Sequence, residues 1–144
     1  MSSTETLREK RCRFTRALSK LEAFVRASGM ECCYEEVKRS DEQACINALG
    51  PMGRSRLCAH LDREPEFATL ALAIRNNVGS GIRGSLHELG LAADVNLYRN
   101  GKWLSSTEDH RAVGEYWESL GPDHRWGGRF GDGNHYSIEH GGRK

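Results

Sequence analysis

With 144 residues, 38% of them apolar and 28% charged, the chain suits one compact domain with a single core and is unlike a disordered or fibrous protein. It holds no run of roughly 18 apolar residues, so no transmembrane helix is expected, and the net charge of +1 argues neither for nor against a nucleic-acid partner; none is expected. The start, from Met1 to Lys10, has no apolar stretch of the signal-peptide kind, so folding in the cytoplasm of the producing cell is expected.

The first element reads as a helix from about Thr4 to Ser28, part of the same domain, with Phe14, Leu18, Leu21 and Val25 at helical spacing and Gly29 as its stop. Its other residues include Arg8, Lys10, Arg11, Arg13, Arg16 and Lys20. That basic run reads as a solvated face, with contact to an anionic envelope or nucleic acid as the alternative. Met30 to Lys38 reads as a strand. Ser40 to Gln43 has the form of a capping box opening a short helix that ends at Gly50-Pro51. Residues 51–62 read as irregular. Pro65 fits the first turn of a helix whose apolar face is Phe67, Leu70, Ala71 and Ile74. Asn76 to Gly84 reads as loop.

Ala92 to Tyr98 reads as a strand, and Asn100-Gly101 is a hairpin turn leading into Lys102-Trp103-Leu104. A cap at Ser105 to Glu108 opens a helix with an apolar stripe of Val113, Tyr116, Trp117 and Leu120, ended by Gly121-Pro122. The glycine- and aromatic-rich tail from Arg125 closes on a strand at His135 to Glu139. Helices, then a hairpin, a helix and a last strand make an α+β domain. The five cysteines, Cys12, Cys32, Cys33, Cys45 and Cys58, form no C-x-x-C pair and are expected to be buried, reduced thiols.

Chemistry concentrates in Ser85 to Asp94, Trp126 to Phe130 and Asp132 to His135. His87 and Asp94 are seven apart, an odd spacing that sends side chains to opposite faces of an unbroken strand. A turn at Gly90 lets them converge. Asp94, Asn96 and Tyr98 then share one strand face, as do His135, Ser137 and Glu139. Two imidazoles and a carboxylate suit zinc and leave a fourth position open for water. Asp132, three before His135, is placed to take a proton from that water. His60, His110, His124 and His140 read as surface or satisfied core residues. Glu88 and Glu139 read as charged neighbours of the ligands.

Ser85-x-His87-x6-Asp94 followed by Asp132-x-x-His135 resembles the D-alanyl-D-alanine carboxypeptidase-like zinc peptidases, and within them the short single-domain phage endolysins that act as L-alanyl-D-glutamate peptidases. Gly90 to Leu97, Gly114 to Leu120 and Trp126 to Phe130 support the resemblance, which spans about residues 30–140. It implies a small antiparallel sheet with helices packed on it and the zinc site in a cleft on the sheet, as in hedgehog and D-Ala-D-Ala peptidases. It implies one catalytic Zn2+ on His87, Asp94 and His135, with Asp132 as catalytic base. Arg39 is implied to steady the scissile carbonyl or its oxyanion, with Arg83 a rival. Ser85 is implied to lie near substrate, and Trp126 to shape a cleft wall unless it is core.

The expected partner is the peptidoglycan stem peptide, and the expected state a monomer. The implied function is a phage-type endolysin, cytoplasmic until lysis. The alternatives are a D-Ala-D-Ala carboxypeptidase or dipeptidase of the same fold, or a non-catalytic phage structural or wall-binding module.

Overall fold

The computed structural model describes residues 5–76 and 84–144. Helix α1, Leu7–Ala27, opens at Thr6, whose side chain accepts from the Glu9 N–H while the Glu9 carboxylate accepts from the Thr6 N–H. That reciprocal cap sets the true start; Thr4 lies outside the described residues. Phe14, Ala17, Leu18, Leu21 and Val25 form the buried stripe. Burying each large one stabilises the fold by about 1.5–3 kcal/mol. Phe14 meets Trp117 edge to face at 5.8 Å, which ties α1 to helix α5, Arg111–Ser119.

Strand β1, Glu31–Glu36, precedes α2, Asp41–Ala48, whose N-cap Ser40 accepts from the Gln43 N–H at 3.1 Å. The Gln43 side chain does not reciprocate; it donates to Asn47 instead. Contrary to the sequence reading, the next stretch is helical: α3 runs Gly50–Leu61 with Pro51 in its first turn. Its buried positions are Arg54 and Cys58, so its inward face carries no apolar stripe. A 3₁₀ turn at Pro65–Phe67 leads into α4, Ala68–Arg75. Only Ala71 and Ile74 of its expected apolar face are buried, while Phe67 and Leu70 are exposed.

Strand β2, Ala92–Arg99, turns through Asn100-Gly101 into β3, Lys102–Leu104. A 3₁₀ turn, Glu108–His110, enters α5. Strand β4, His124–Trp126, was not expected, and β5 spans His135–Ile138. The sheet is antiparallel throughout, in the order β1-β2-β5-β4, and β3 also pairs with β2. β5 takes one edge of β2 at Ala92 to Asp94, and β3 takes the same edge at Leu97 to Arg99. The α+β class is as expected. The five cysteines are free as expected, but Cys58 alone is buried; Cys12, Cys33 and Cys45 are exposed.

Candidate metal centre

Strand parity puts Asp94 on the face opposite Val95 and Leu97, which are fully buried. Asp94 pairs across the sheet with His135 on one side and with Glu36 on the other. The Val95 N–H donates to the Asn134 carbonyl at 2.8 Å, so Asp94 and His135 form a non-hydrogen-bonded pair, the kind that brings side chains closest. Three neighbouring strands therefore carry Glu36, Asp94 and His135 in one row.

His87 reaches this row from a tight turn. Leu91 N–H donates to the Leu86 carbonyl and Gly90 N–H to that of His87, and Gly90 has φ +67°, a conformation that favours glycine. The Glu88 carboxylate accepts from the Ser85 N–H, and the His87 carbonyl accepts from the Arg39 N–H. The turn expected at Gly90 is thus the device that offsets the odd spacing of His87 and Asp94.

Three donors converge. His87 Nε2 lies 3.3 Å from His135 Nδ1 and 3.4 Å from Asp94 Oδ1, and His135 Nδ1 lies 3.1 Å from Asp94 Oδ1. Ligands held tetrahedrally about 2.0–2.2 Å from zinc stand about 3.3–3.6 Å from one another. Two sides of the donor triangle fall in that range and the third is slightly shorter, so the three donors fit one face of a zinc tetrahedron whose fourth corner would be left to solvent. Among the described residues this is the one group of histidine, cysteine and carboxylate side chains disposed to hold a metal ion. Burial raises the Asp94 carboxyl, but the contacts from His135 and His87 outweigh it and hold the group well below the usual carboxylate range.

Glu36 and Arg39 complete the surroundings. The Arg39 guanidinium is 8% exposed and donates to both Glu36 oxygens, from Nε at 2.9 Å and Nη2 at 2.5 Å. Glu36 Oε2 in turn lies 3.6 Å from His87 Nδ1, a buried nitrogen with no hydrogen-bond partner. A carboxylate facing the ring nitrogen that does not ligate is how metal-bound histidines are oriented. Sequence reading missed Glu36 because its role comes from sheet register. Arg39 was expected to face the scissile carbonyl, yet two of its donors are committed to Glu36. Arg83 lies outside the described residues.

A cavity of about 310 Å³ opens beside the triad, lined by Ser85, His87, Phe130, Asp132, His135 and Arg143, among others. Asp132 is exposed at its rim. The Ser85 Oγ is buried on its wall without a hydrogen-bond partner. Trp126 corrects an expectation: it is core, 2% exposed, and does not line the cavity. Its indole N–H donates to the Gly133 carbonyl at 2.7 Å, anchoring the loop between Asp132 and His135. Gly127 lets that loop close, since a Cβ there would meet the Asp132 carbonyl oxygen at 2.3 Å. His110 and His124 are core histidines, 2% and 3% exposed.

The family model described as D-alanyl-D-alanine carboxypeptidase matches residues 79–138, which hold His87, Asp94, Asp132 and His135 but not Arg39. No curated protein matches the sequence. Two solved structures show a likeness. One is a mutant of the vancomycin resistance D,D-pentapeptidase VanY from a VanB-type cassette in complex with Zn(II), at 20% identity and a TM-score of 0.47, covering 88% of this chain and 70% of that one. The other is VanYB in complex with D-alanine-D-alanine, at 20% identity and a TM-score of 0.49, covering 88% and 69%. Over residues 79–138, which carry the candidate metal centre, the chain is similar to the D-alanyl-D-alanine carboxypeptidase family of zinc metallopeptidases.

Proposed function

We propose that the chain is a phage-type endolysin that hydrolyses the L-Ala–D-Glu bond of the peptidoglycan stem peptide. The observation that carries the peptidase chemistry is the triangle of His87, Asp94 and His135 donors beside a cavity that Asp132 also lines. The narrower choice of bond and setting rests on the pattern Ser85-x-His87-x6-Asp94 with Asp132-x-x-His135, which resembles that endolysin subgroup. In this reading the protein stays in the cytoplasm of the producing host until lysis and then acts on the wall.

Zinc, when bound, supplies Lewis acidity to a carbonyl and to water. His87, Asp94 and His135 would hold it, and Glu36 faces the His87 ring nitrogen that would not ligate. Asp132 accepts the proton of the attacking water and delivers it to the leaving amine nitrogen. Ser85 Oγ, buried on the wall without a partner, offers a hydrogen bond to the substrate backbone.

One observation favours a second reading. Arg143 and Lys144 line the same cavity, and such cations suit a substrate's terminal carboxylate, which is what a D-Ala-D-Ala carboxypeptidase holds. Mass spectrometry of digested peptidoglycan separates the two. Fragments ending at L-Ala support the endolysin; loss of only a terminal D-Ala replaces it with the carboxypeptidase. No cleavage by the zinc-loaded protein would leave a non-catalytic wall-binding or phage structural module.

A further inference from the structure

A second cavity, of about 250 Å³, shares no lining residue with the first. One face of α1 lines it with Arg13, Arg16, Ala17 and Lys20, and the far wall is Leu120 and His124. The His124 side chain is 2% exposed. Its Nε2 has no hydrogen-bond partner, and its Nδ1 comes no nearer than 3.5 Å to Asp123 Oδ1. A buried imidazole left short of partners is costly and calls for an explanation.

The charges around it do not balance internally. Arg13 is spent on Glu5 and Asp123, donating to both carboxylates. Lys10 donates to the Glu139 carbonyl and stands 3.8 Å from Asp123. The nearby acids are thus matched. Arg16 and Lys20 form no ion pair or hydrogen bond among the described residues, and like charges four apart on a helix repel. The unmatched charge and the unmatched imidazole border one space.

We propose that this cavity binds a phosphate-class oxyanion, held by Arg16, Lys20 and the His124 ring. The guanidinium and ammonium of α1 and the imidazole of the far wall border one cavity, and an acceptor with several oxygens spread in three dimensions can serve all three. A tetrahedral dianion supplies them and offsets both surplus cations, and the guanidinium fork fits phosphate geometry. Free phosphate and the phosphodiester of a lipid headgroup share this chemistry.

The test uses full-length, zinc-loaded, 15N-labelled protein. The His124 ring nitrogens are followed by NMR while inorganic phosphate is added, with sodium chloride at matched ionic strength as control. In a second arm the protein is sedimented with vesicles of phosphatidylglycerol and phosphatidylcholine, or of phosphatidylcholine alone. Saturable movement of the His124 signals by phosphate supports the site with free phosphate as source. Retention on phosphatidylglycerol vesicles that moves the same signals supports it with a headgroup as source. In either case the double variant R16A/K20A binds at least about tenfold more weakly, with zinc content and peptide cleavage unchanged. The proposal is overturned if neither probe moves His124 saturably, if chloride does so equally, or if the double variant binds as the parent does.

Discussion

Asp94 Oδ1 lies 3.1 Å from His135 Nδ1 because the two residues face each other across the closely spaced pairing of β2 and β5. The closeness of these two donors is therefore a consequence of sheet register, and register makes the candidate metal centre testable. Replacing Asp94 by Ala removes one corner of the donor triangle while leaving both strands paired. Zinc affinity should fall by more than about 100-fold, as read by competition with a chelator. An Asp94→Ala protein that holds zinc as tightly as the parent would place the metal elsewhere.

Glu36 gives the second prediction. It faces His87 Nδ1 at 3.6 Å and is itself gripped by Arg39. Glu36→Gln should weaken zinc binding by about 10- to 100-fold. The melting temperature of the zinc-free protein should change far less than that of the loaded protein. An equal drop in both would reduce Glu36 to a partner of Arg39 with no part in holding the His87 ring.

Asp132 separates binding from chemistry. Asp132→Ala should retain zinc and lose about 10²- to 10⁴-fold in kcat on stem peptide. Full turnover in that variant removes Asp132 as the proton acceptor.

Gly127 tests how the loop is closed. A Cβ there meets the Asp132 carbonyl at 2.3 Å and the His135 Cβ at 2.7 Å, both fixed atoms. Gly127→Ala should cost about 1–3 kcal/mol in denaturant unfolding and lower zinc affinity as His135 shifts. Unchanged stability and affinity would mean that the loop has room the structure denies it.

Acid should loosen the fold before the carboxylates titrate. His110 is buried, its Nε2–H donating to the Leu104 carbonyl at 3.2 Å while Nδ1 accepts from the Tyr136 hydroxyl at 2.9 Å. Burial lowers its pKa, and burial does the same to His124. Unfolded imidazoles titrate near about 6.5, so below that pH the unfolded chain binds more protons than the native one. Stability is full above about 6.5 and declines as pH falls toward the lowered native values. Melting of zinc-stripped protein isolates this effect from loss of metal. A flat melting temperature between about pH 8 and pH 5 would contradict it.

Much of the site was legible because it rests on short-range rules. Strand parity placed Asp94 and His135, and one turn glycine resolved the odd spacing from His87. What the sequence concealed depends on contacts across the fold. Glu36 gains its place only through pairing of β1 with β2. The resemblance implies a substrate role for Arg39, and the commitment of its guanidinium to Glu36 shows only in the fold. Helix α3 escaped because its buried positions are an arginine and a cysteine, which produce no apolar stripe. Trp126 was ambiguous because an indole suits a cleft wall and a core equally well until its N–H finds a carbonyl to serve.

The proposed chemistry requires one ion held by three side chains. Diffraction from zinc-loaded crystals, recorded on both sides of the zinc absorption edge, tests it most directly. A single anomalous peak should sit about 2 Å from His87 Nε2, Asp94 Oδ1 and His135 Nδ1. No peak at that point, or a zinc bound by other residues, would contradict it.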